Sequence, residues 1–513
     1  VKGFGAGGDG VADDTAAIQA AVNALSSGGV LYIPHGTYLI STRITGADNI
    51  VIKGSFGGSV LKRAASNTGQ ILYFRSKSKF VIEDIEIDGN KSAGGASGYG
   101  ISIEGCSNFQ ISNVISNNNI NDALYIQRDT TSNVASSSFS IVGSTINNNN
   151  RHGLTVASGH SFNIYGCTAS SNVFSGITVE PNAGGTSVGH SFSIKDCICN
   201  SNGQSGHNPY SIAGISISCQ NVSTDADRRG IIISGNQCLS NLSDGTGDGY
   251  GIWVRDCSHV IVDNNNCSSN SDTGIRVDRS TTIGANTNSV TITGNVSNGN
   301  SSDGFNVTGG GSSDKIIGVT INGNVARGNT TYGLVAGANV EAGMVSSNVF
   351  VSNTTAQTTF NNFSGWGAVE QREENTNGFN ANLETRSNLM GFQRRDLPAG
   401  QTDYDLYIFG ILDFTSIPMV RAGSVIGLAV KLSSSLPAGE TATITVEKNG
   451  ATFGSPFEIT IPSGSDSGQA TVDLRSRTFT SGDLIGCVVD TSNNGAWPAT
   501  VDIIVTVETS PFA

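Results

Sequence analysis

Residues 99–180 contain the side chains of this sequence that are best suited to acid–base chemistry: Tyr99, Glu104, Asp122, Tyr125, Gln127, Arg151, His152 and Glu180. In a β-elimination beside a carboxylate, a base removes the α-proton, a cation stabilises the enolate, and a phenol protonates the leaving oxygen. His152, Arg151 and Tyr99 or Tyr125 could fill these three roles.

Hydrolysis of a glycosidic bond is the alternative, and it needs two carboxyl groups about 5–5.5 Å or about 6.5–9.5 Å apart. Glu104 and Asp122 are the natural pair. The residues leave both reactions open. We predict that Tyr99, Glu104, Asp122, Arg151 and His152 are catalytic and that Tyr125, Gln127 and Glu180 bind substrate, rather than being solvated polar groups on an exterior sheet.

A second set of residues consists of Trp253, Arg255, Arg276 and Asp278, with Asp248, Tyr250 and Asp256 at its edge. An exposed Trp on a strand face is costly without a partner, so we predict that the first four bind sugar. Contact with a neighbouring subunit or a covering loop is the alternative.

An internal repeat must position these residues. An apolar residue is followed eight positions later by Asn in ten units: Ile82/Asn90, Ile111/Asn119, Ile141/Asn149, Ile164/Asn172, Ile194/Asn202, Ile233/Asn241, Val262/Asn270, Ile292/Asn300, Ile321/Asn329 and Val345/Asn353. Asn tolerates the left-handed conformation of a sharp corner, and its amide can bond to the same amide one repeat away. The repeat predicts a right-handed parallel β-helix with an internal asparagine ladder.

Each Asn corner is followed by a strand of alternating apolar and variable residues, such as GISIE at 100–104 and GLTVA at 153–157. Alternation directs the variable residues outward, and adjacent rungs lie roughly 5 Å apart. We therefore expect Glu104, Asp122 and His152 within ~10 Å of one another. A column of small residues five positions into each unit predicts that Cys199, Cys238 and Cys267 stack inside the coil as packing thiols.

Both ends of the coil need protection, because an open β-helix exposes unpaired strand groups. The apolar spacing of Ala17, Ile18, Ala21, Val22 and Leu25 predicts an amphipathic helix that closes the N-terminal end. From about Phe392, long alternating runs separated by turn residues predict a β-sandwich. The predicted boundaries are 1–30 for the cap, 31–355 for the β-helix, 356–391 for a linker and 392–513 for the sandwich.

The composition disfavours several classes of partner and cofactor. The 513 residues include 66 Gly and carry a formal net charge of −13 without Lys/Arg clusters, which disfavours nucleic acid as a partner. No apolar run is long enough to cross a bilayer, so membrane insertion is not expected. Cysteine spacing predicts no zinc site, and the STDADRR segment at 223–229 has too few acids for a calcium site by itself, although Ca²⁺ stays possible. We expect no metal or other cofactor.

The opening VKGFGAGGDGVADDTAAIQAAVNAL, followed by GGVLYIPHGTYLI, resembles the N-terminal signature shared by pectate-lyase-like β-helix proteins, phage tailspikes and mannuronan C5-epimerases. The segment 98–180 resembles the catalytic coils of mannuronan C5-epimerases. The resemblance places that family's catalytic Tyr on Tyr99 and its Arg-His pair on Arg151-His152. Ser102 and Glu104 replace its Asp-x-His, and Gln127 replaces a second Asp, so the resemblance supports a polysaccharide groove more than epimerase chemistry.

These observations together predict a phage-tailspike-type depolymerase that cleaves an acidic, uronate-containing glycan, with a lyase slightly favoured over a hydrolase. The alternatives are a non-catalytic receptor-binding or adhesin fibre and a uronan C5-epimerase. The C-terminal domain resembles the trimerising or receptor-binding end of phage tail proteins, which implies a homotrimer. The expected location is a virion tail or the extracellular space.

Overall fold

The structure is a computed structural model. It describes residues 1–94, 98–181, 187–203, 212–220, 222, 225–243, 248–280, 286–310, 314–360, 369–374, 388–394, 399–401, 404–408, 416–419, 423–471, 477–495, 497 and 501–511. The chain divides into two compact units. The first comprises Val1–Ile316, Val325–Asn339 and Asn353–Thr359, and the second comprises Ile317–Asn324, Val340–Ser352 and Phe360–Ala513.

The first unit is a parallel β-helix, as the repeat predicts, and its strands form three parallel sheets. A five-stranded sheet contains Asp9–Asp13, Gly36–Ile40, Ser59–Arg63, Glu86–Asp88 and Ile115–Asn117. Single bridges extend the pairing of Ile115 through Thr145, Thr168, Ile198, Gln237, Asn266 and Val296 to the strand Val325–Arg327. Another sheet contains Gly29–Tyr32, Ile50–Lys53, Val81–Glu83, Ser107–Ser112, Ser136–Val142, Gly159–Tyr165, Gly189–Lys195, Arg229–Ser234, Ser258–Asp263 and Thr287–Thr293.

The third is a twelve-stranded sheet, which carries both sets of candidate site residues. Its strands are Ile44–Thr45, Leu72–Arg75, Ile101–Glu104, Leu124–Gln127, Leu154–Val156, Ile177–Val179, Ala213–Ser218, Tyr250–Arg255, Ile275–Asp278, Phe305–Thr308, Tyr332–Ala336 and Ala356–Phe360. Apolar residues at alternate positions, such as Ile101 and Ile103, are fully buried. Alternation therefore places the intervening side chains on the outer face, as predicted.

The asparagine ladder is confirmed from Asn119 to Asn353. Each side-chain amide donates to the side-chain oxygen of the next Asn at 2.8–3.1 Å. The left-handed corner residue is not the ladder Asn but the residue before it, for example Ser201 with φ 54°. The ladder side chain points inward, whereas the corner residue faces outward. Asn90 is outside the ladder: it is itself left-handed, and its amide donates to the carbonyl of Arg63.

A shorter ladder, which the predicted repeat does not include, lies five residues before the first one in the sequence. The amide of Asn236 donates to Asn265 at 2.9 Å, and that of Asn265 donates to Asn295 at 3.0 Å. In the second unit, Asn324 donates to Asn348 in the same way at 3.0 Å. In earlier repeats the position five residues before the ladder Asn is occupied by Cys167 and Cys197. The second ladder therefore does not extend to those repeats.

The predicted interior column of small residues is fully buried and includes Cys199, Cys238 and Cys267. All nine cysteines are free and buried, as expected for packing thiols. A stack of phenylalanines fills another column, in which the rings of Phe109, Phe139, Phe162 and Phe192 are 4.6–4.7 Å apart. Each rung therefore packs against the next through stacked residues of the same type.

The predicted N-terminal helix spans Thr15–Asn23 and buries Ile18, Ala21 and Val22. The carboxylate of Asp14 accepts hydrogen bonds from the backbone of Gly7 and Gly8 at 2.5 and 3.1 Å, which fixes the segment before the helix. Short 3₁₀ helices occur at Lys2–Phe4, Lys91–Ala93 and Asp225–Arg228. None of the helices in the described ranges is both long and apolar enough to span a membrane.

The second unit contains antiparallel sheets in the C-terminal region, for which the sequence predicts a β-sandwich. Apart from Val325–Arg327, Tyr332–Ala336 and Ala356–Phe360, which belong to the β-helix sheets described above, the strands from residue 316 onward are Ile316–Asn322, Val340–Val351, Val369–Glu374, Asn388–Arg394, Tyr404–Asp405, Tyr407–Ile408, Ser416–Pro418, Gly423–Leu432, Ala442–Lys448, Ala451–Ile461, Ser467–Thr471, Thr478–Phe479, Leu484–Thr491 and Ile503–Pro511. Val430, Ile444, Val489 and Val505 come from two different sheets and share one hydrophobic core. The stretch 356–391, predicted as an irregular linker, includes the strands Ala356–Phe360 and Val369–Glu374 and the first residues of Asn388–Arg394.

Candidate functional site

The register of the twelve-stranded sheet places the candidate residues relative to one another. One outward row, at the middle of successive strands, runs Tyr73, Ser102, Tyr125, Thr155, Thr178, Ser216, Trp253, Arg276 and Asn306. Small hydroxyl residues occupy the centre of this row, and Thr155, Thr178 and Ser216 have at most 3% exposed surface. They form a polar floor between two clusters of larger side chains.

Arg151 is the centre of the first cluster. Its Nε lies 3.4 Å from Oδ1 of Asp122, and its Nη2 lies 3.1 Å from Oε1 of Glu180. Its guanidinium also lies 5.8 Å from the centre of the Tyr125 ring, within the range of a cation–π contact. About 29% of the Arg151 side chain is exposed, so one guanidinium joins a buried carboxyl group to a surface one.

Asp122 is completely buried. Burial raises its pKa to about 7, although Arg151 and the backbone N–H of His152 favour the ionised form. That N–H donates to Oδ1 at 3.0 Å, and the Thr155 hydroxyl is near enough to favour the ionised form as well, whereas Oδ2 makes no hydrogen bond in the part of the chain that the structure describes. Asp122 can therefore hold a proton near neutral pH, with Oδ2 as the oxygen that would carry it.

Glu180 is the accessible carboxyl group of this cluster, with about 31% of its side chain exposed. Burial of the remainder raises its pKa, and the contact with Arg151 opposes that effect without cancelling it. A raised pKa makes Glu180 a stronger base than an ordinary glutamate.

Tyr99 and Tyr125 stack face to face, with ring centres 4.6 Å apart. Burial is the main cause that raises the pKa of both phenols, so both are protonated at neutral pH and can donate a proton. Both rings remain half-buried rather than covered. The structure therefore brings Tyr99, Tyr125, Asp122, Arg151 and Glu180 together.

His152 lies beside this cluster but is buried, with 4% exposed surface. Its Nδ1 accepts the backbone N–H of Ser175 at 3.1 Å, and its ring packs edge-on against Phe174. Burial, with help from Arg151, lowers its pKa well below the usual value, so the ring is neutral with its proton on Nε2. Neither ring nitrogen has a lone pair free to take a proton, which argues against the base role expected from the sequence.

Glu104 is separate from this group. It pairs in register with Gln127, five residues along the strand direction from Asp122, which corresponds to about 15 Å. The expected separation of ~10 Å is therefore wrong, because rung spacing measures distance across strands but not along them. Tyr73 and Gln127 each donate to the Glu104 carboxylate at 2.9 Å, and Arg75 lies 3.8 Å from it.

The second cluster is more enclosed than predicted. Trp253 has only 4% exposed surface, because Tyr250 and Arg255 cover its ring. The indole donates to Oδ1 of Asp278 at 3.2 Å. Trp253 is therefore a packed residue and not the exposed stacking platform that the sequence suggested.

Asp278 joins the two arginines of the second cluster. Arg255 donates to it through Nε at 2.9 Å and Nη2 at 3.0 Å, and Arg276 donates through Nε at 2.9 Å. Arg276 also donates to the hydroxyl of Tyr250 at 3.2 Å. The edge residue Asp256 instead faces a buried pair with Arg279 at 3.4 Å.

Two features of this sheet were not predicted from the sequence. Tyr73 and Arg75 occupy outward positions, and their alternation in LYFR would have revealed them. Asp272, whose pKa is raised by burial, lies close enough to Arg276 to interact electrostatically, but it precedes its strand and alternation does not reach it. Within the described ranges, no three His, Cys, Asp or Glu side chains converge to hold a metal ion.

Comparison with known proteins agrees with this architecture. Residues 1–206 match the family described as rhamnogalacturonase A/epimerase, pectate lyase-like. Mannuronan C5-epimerase AlgE1 of Azotobacter vinelandii is 38% identical over 107 residues, which are 18% of this chain and 8% of that protein. Alginate lyase 7 of the same organism is 36% identical over 107 residues, 18% of this chain and 12% of that protein. The alignments thus span about a tenth of these relatives.

The A-module of the Azotobacter vinelandii mannuronan C-5 epimerase AlgE6 aligns with 73% of this chain and 98% of its own, at 20% identity and a TM-score of 0.59. That likeness concerns the fold. The chain therefore carries the pectate-lyase-like right-handed parallel β-helix fold, as its opening residues and its repeat indicated.

Proposed function

We propose that this protein depolymerises a uronate-containing polysaccharide by β-elimination at the first cluster. The observation that supports this proposal is the arrangement around Arg151, which contacts Glu180 at 3.1 Å and the Tyr125 ring at 5.8 Å. A cation, an accessible base and a protonated phenol are the three groups that elimination requires. The names of the relatives, mannuronan C5-epimerase and alginate lyase, favour the same substrate class.

The proposed reaction begins with the uronate carboxylate against the exposed face of Arg151. Glu180 removes the proton from the carbon α to that carboxylate, and Arg151 stabilises the enolate that forms. The electron pair then forms a carbon–carbon double bond as the bond to the leaving oxygen breaks. Tyr125 or Tyr99 donates its phenolic proton to that oxygen, and the proton held by Glu180 returns to the phenolate through solvent.

Asp122 has a compensating role in this scheme. A bound uronate adds a negative charge beside Arg151, which raises the pKa of Asp122 further above its value of about 7. Proton uptake at Asp122 then neutralises one carboxyl group as the substrate supplies another. His152 is a positioning residue that holds the backbone of Ser175 and packs on Phe174.

Hydrolysis is less well supported because it requires two carboxyl groups that both reach the glycan. Within the described part of the first cluster, only Glu180 is accessible, since Asp122 is fully buried. Glu104 is about 15 Å away along the strand, and its carboxylate is occupied by Tyr73 and Gln127. C5-epimerisation remains a second candidate, favoured by the epimerase relatives, because it shares the proton-abstraction step.

A panel of polysaccharides tests the proposal. The full chain is incubated with uronate-containing and uronate-free glycans, and the products are followed by absorbance of the unsaturated uronate and by reducing ends. Elimination yields both signals from uronate-containing glycans only. Reducing ends without the unsaturated product would replace elimination with hydrolysis, and an inverted C5 signal in NMR without chain cleavage would replace it with epimerisation. Binding without either change would support an adhesin.

Assembly and location are part of the same proposal. Resemblance to phage tail proteins suggests a homotrimer at a virion tail or outside the cell, with the C-terminal unit in trimerisation or receptor binding. Light scattering of the full chain gives its mass in solution. A monomeric mass would remove the trimer and favour a secreted enzyme.

A further inference from the structure

Two histidines lie side by side on a part of the β-helix that the proposed reaction does not use. His160 belongs to the strand Gly159–Tyr165 and His190 to the strand Gly189–Lys195, and the two residues pair in register. Their rings stack with centres 5.0 Å apart and with planes only 5° apart. Both strands belong to a different sheet from the twelve-stranded one that carries the first and second clusters. The pair is therefore separate from both clusters.

The same local conformation orients the two rings. Each histidine is followed by a serine in the left-handed region, Ser161 with φ 56° and Ser191 with φ 54°. Nδ1 of His160 lies 3.2 Å from Oγ of Ser161, and Nδ1 of His190 lies 3.1 Å from Oγ of Ser191. Because Nδ1 of each ring is held on the same side, the two Nε2 atoms also lie next to each other. Neither Nε2 makes a hydrogen bond to a residue that the structure describes.

Imidazole nitrogens are preferred ligands of divalent transition metals. A histidine that binds a metal through Nε2 commonly donates its Nδ1–H to an acceptor, which fixes the tautomer and the orientation of the ring. The hydroxyl oxygens of Ser161 and Ser191 lie where they can accept such a bond. In that tautomer each Nε2 carries its lone pair, and both lone pairs are available to one ion.

The surroundings of His190 keep it neutral. Burial lowers its pKa, and His160 and Arg229 lower it further, whereas Asp227 opposes them. An ordinary histidine already has a pKa of about 6.5, so the neutral ring of His190 predominates at neutral pH. Asp227 and Arg229 act in opposite directions on a bound cation as well. The two nitrogen lone pairs, rather than the charge of the surroundings, are therefore what would hold a metal here.

The spacing of the rings fits a metal after a small side-chain movement. Because the planes are nearly parallel, the Nε2 atoms are roughly as far apart as the ring centres, which are 5.0 Å apart. Metal–nitrogen bonds of about 2.0–2.1 Å at a tetrahedral angle need nitrogens about 3.4 Å apart. Both rings are only half-buried, so each can tilt toward the other by the required ~1 Å or less. No third His, Cys, Asp or Glu of the described ranges joins them, which leaves the other coordination positions to water.

We infer that His160 and His190 form a two-histidine binding site for a divalent transition-metal ion such as Zn²⁺, Ni²⁺ or Cu²⁺. The ion bridges two adjacent rungs, so it links the strands Gly159–Tyr165 and Gly189–Lys195 through side chains in addition to their backbone pairing. A ligand that binds only the folded chain stabilises it, which makes this a structural site rather than a catalytic one. Mg²⁺ and Ca²⁺ prefer oxygen ligands and are not expected to bind here. The site is independent of the reaction proposed for the first cluster.

Calorimetric titration of the metal-free full chain with Zn²⁺ at neutral pH tests the site, with Ca²⁺ titrated in parallel. We expect one equivalent of Zn²⁺ to bind to the pair and no Ca²⁺. His160→Gln and His190→Gln should each weaken Zn²⁺ binding by about tenfold or more, because each removes one of the two protein ligands. His259→Gln is the matched control, since His259 is an exposed histidine of the same sheet whose ring stacks on no other ring of the described chain. The control should bind Zn²⁺ as the wild type does.

A wild-type chain that binds no Zn²⁺ overturns the inference. Zn²⁺ binding that survives either substitution also overturns it, since other groups would then hold the ion. Circular dichroism shows whether the variants keep the fold. The electron paramagnetic resonance spectrum of Cu²⁺ bound to the wild type gives a measurement that needs no variant: two coordinated nitrogens support the site, and one or none contradicts it. Neither measurement uses a glycan, so the outcome is distinct from that of the proposed elimination.

Discussion

Nε of Arg151 lies 3.4 Å from Oδ1 of Asp122, a carboxyl group with no exposed surface. The same guanidinium reaches the half-exposed Glu180 on its other side. Arg151 therefore contacts both the buried carboxyl group of Asp122, which can hold a proton, and the accessible carboxylate of Glu180, which can act as a base. The pH dependence of the protein should report both carboxyl groups.

We expect kcat/KM to follow a bell-shaped pH profile. Activity rises as Glu180 loses its proton, at a pH above the usual glutamate range because its pKa is raised. Activity falls as pH rises through about 7, because Asp122 then ionises beside the uronate. The variant Asp122→Asn imitates the protonated form, so its alkaline decline should disappear. If kcat/KM of this variant still fell at alkaline pH, the decline would be due to a group other than Asp122.

Stability should depend on pH through the same residue. Because the pKa of Asp122 is raised in the folded state, its contribution is fully present below about pH 4 and is lost as pH rises to about 7. Three pKa units correspond to about 4 kcal/mol, which is an upper bound. Asp122→Asn should therefore gain melting temperature relative to wild type between pH 4 and 8. A constant difference across that range would contradict the raised pKa.

Arg151 should matter far more to turnover than other arginines on the same sheet. Arg151→Lys cannot keep both the Asp122 and the Glu180 contact, and it should lower kcat by about 100-fold, as expected for loss of transition-state charge stabilisation. Arg75→Lys is the matched control, because Arg75 pairs with Glu104 and Asp129 farther along the strand direction. Glu104→Gln should likewise change kcat less than tenfold. If kcat fell strongly in the Arg75 or Glu104 variant while Arg151→Lys stayed active, the reaction would be assigned to the residues around Glu104 instead.

His152→Ala is expected to act through the fold. It removes the Nδ1 acceptor of the Ser175 N–H and leaves a cavity beside Phe174, which together should cost about 2–3 kcal/mol. Turnover should fall while the shape of the pH profile is kept, since the titrating groups remain. Lost turnover with unchanged melting and an altered acidic limb would restore His152 as the base.

The sequence predicted the main asparagine ladder, the N-terminal helix and the C-terminal sheet domain, but not how far apart side chains lie along the strands or which of them cover one another. The Asn119–Asn353 ladder and the buried cysteine column follow from spacing alone, because each rung copies its neighbour. The distance between Glu104 and Asp122 depends on position along the strand, which counting rungs does not give. Burial of Trp253 depends on Tyr250 and Arg255, whose side-chain directions no periodicity specifies.

The ladder also makes a prediction about stability that is independent of function. Oδ1 of Asn202 accepts the backbone N–H and the amide of Asn172 at 3.1 and 3.0 Å, while its own amide donates to Asn241 at 3.1 Å and to the carbonyl of Ala169 at 3.0 Å. Asn202→Leu removes all four bonds and leaves buried donors unpaired, so the free energy of unfolding should fall by about 3–5 kcal/mol.

The control for this variant is Asn150→Leu, which makes the same substitution at an exposed position two repeats earlier in the chain. Chemical denaturation of both variants gives the comparison, and the control should stay within about 0.5 kcal/mol of wild type. Because each ladder Asn bonds only to its neighbours, the loss should first open the rungs around Asn172 and Asn241, visible as local hydrogen exchange. Wild-type unfolding and exchange in Asn202→Leu would mean that stacked apolar residues alone hold the coil together.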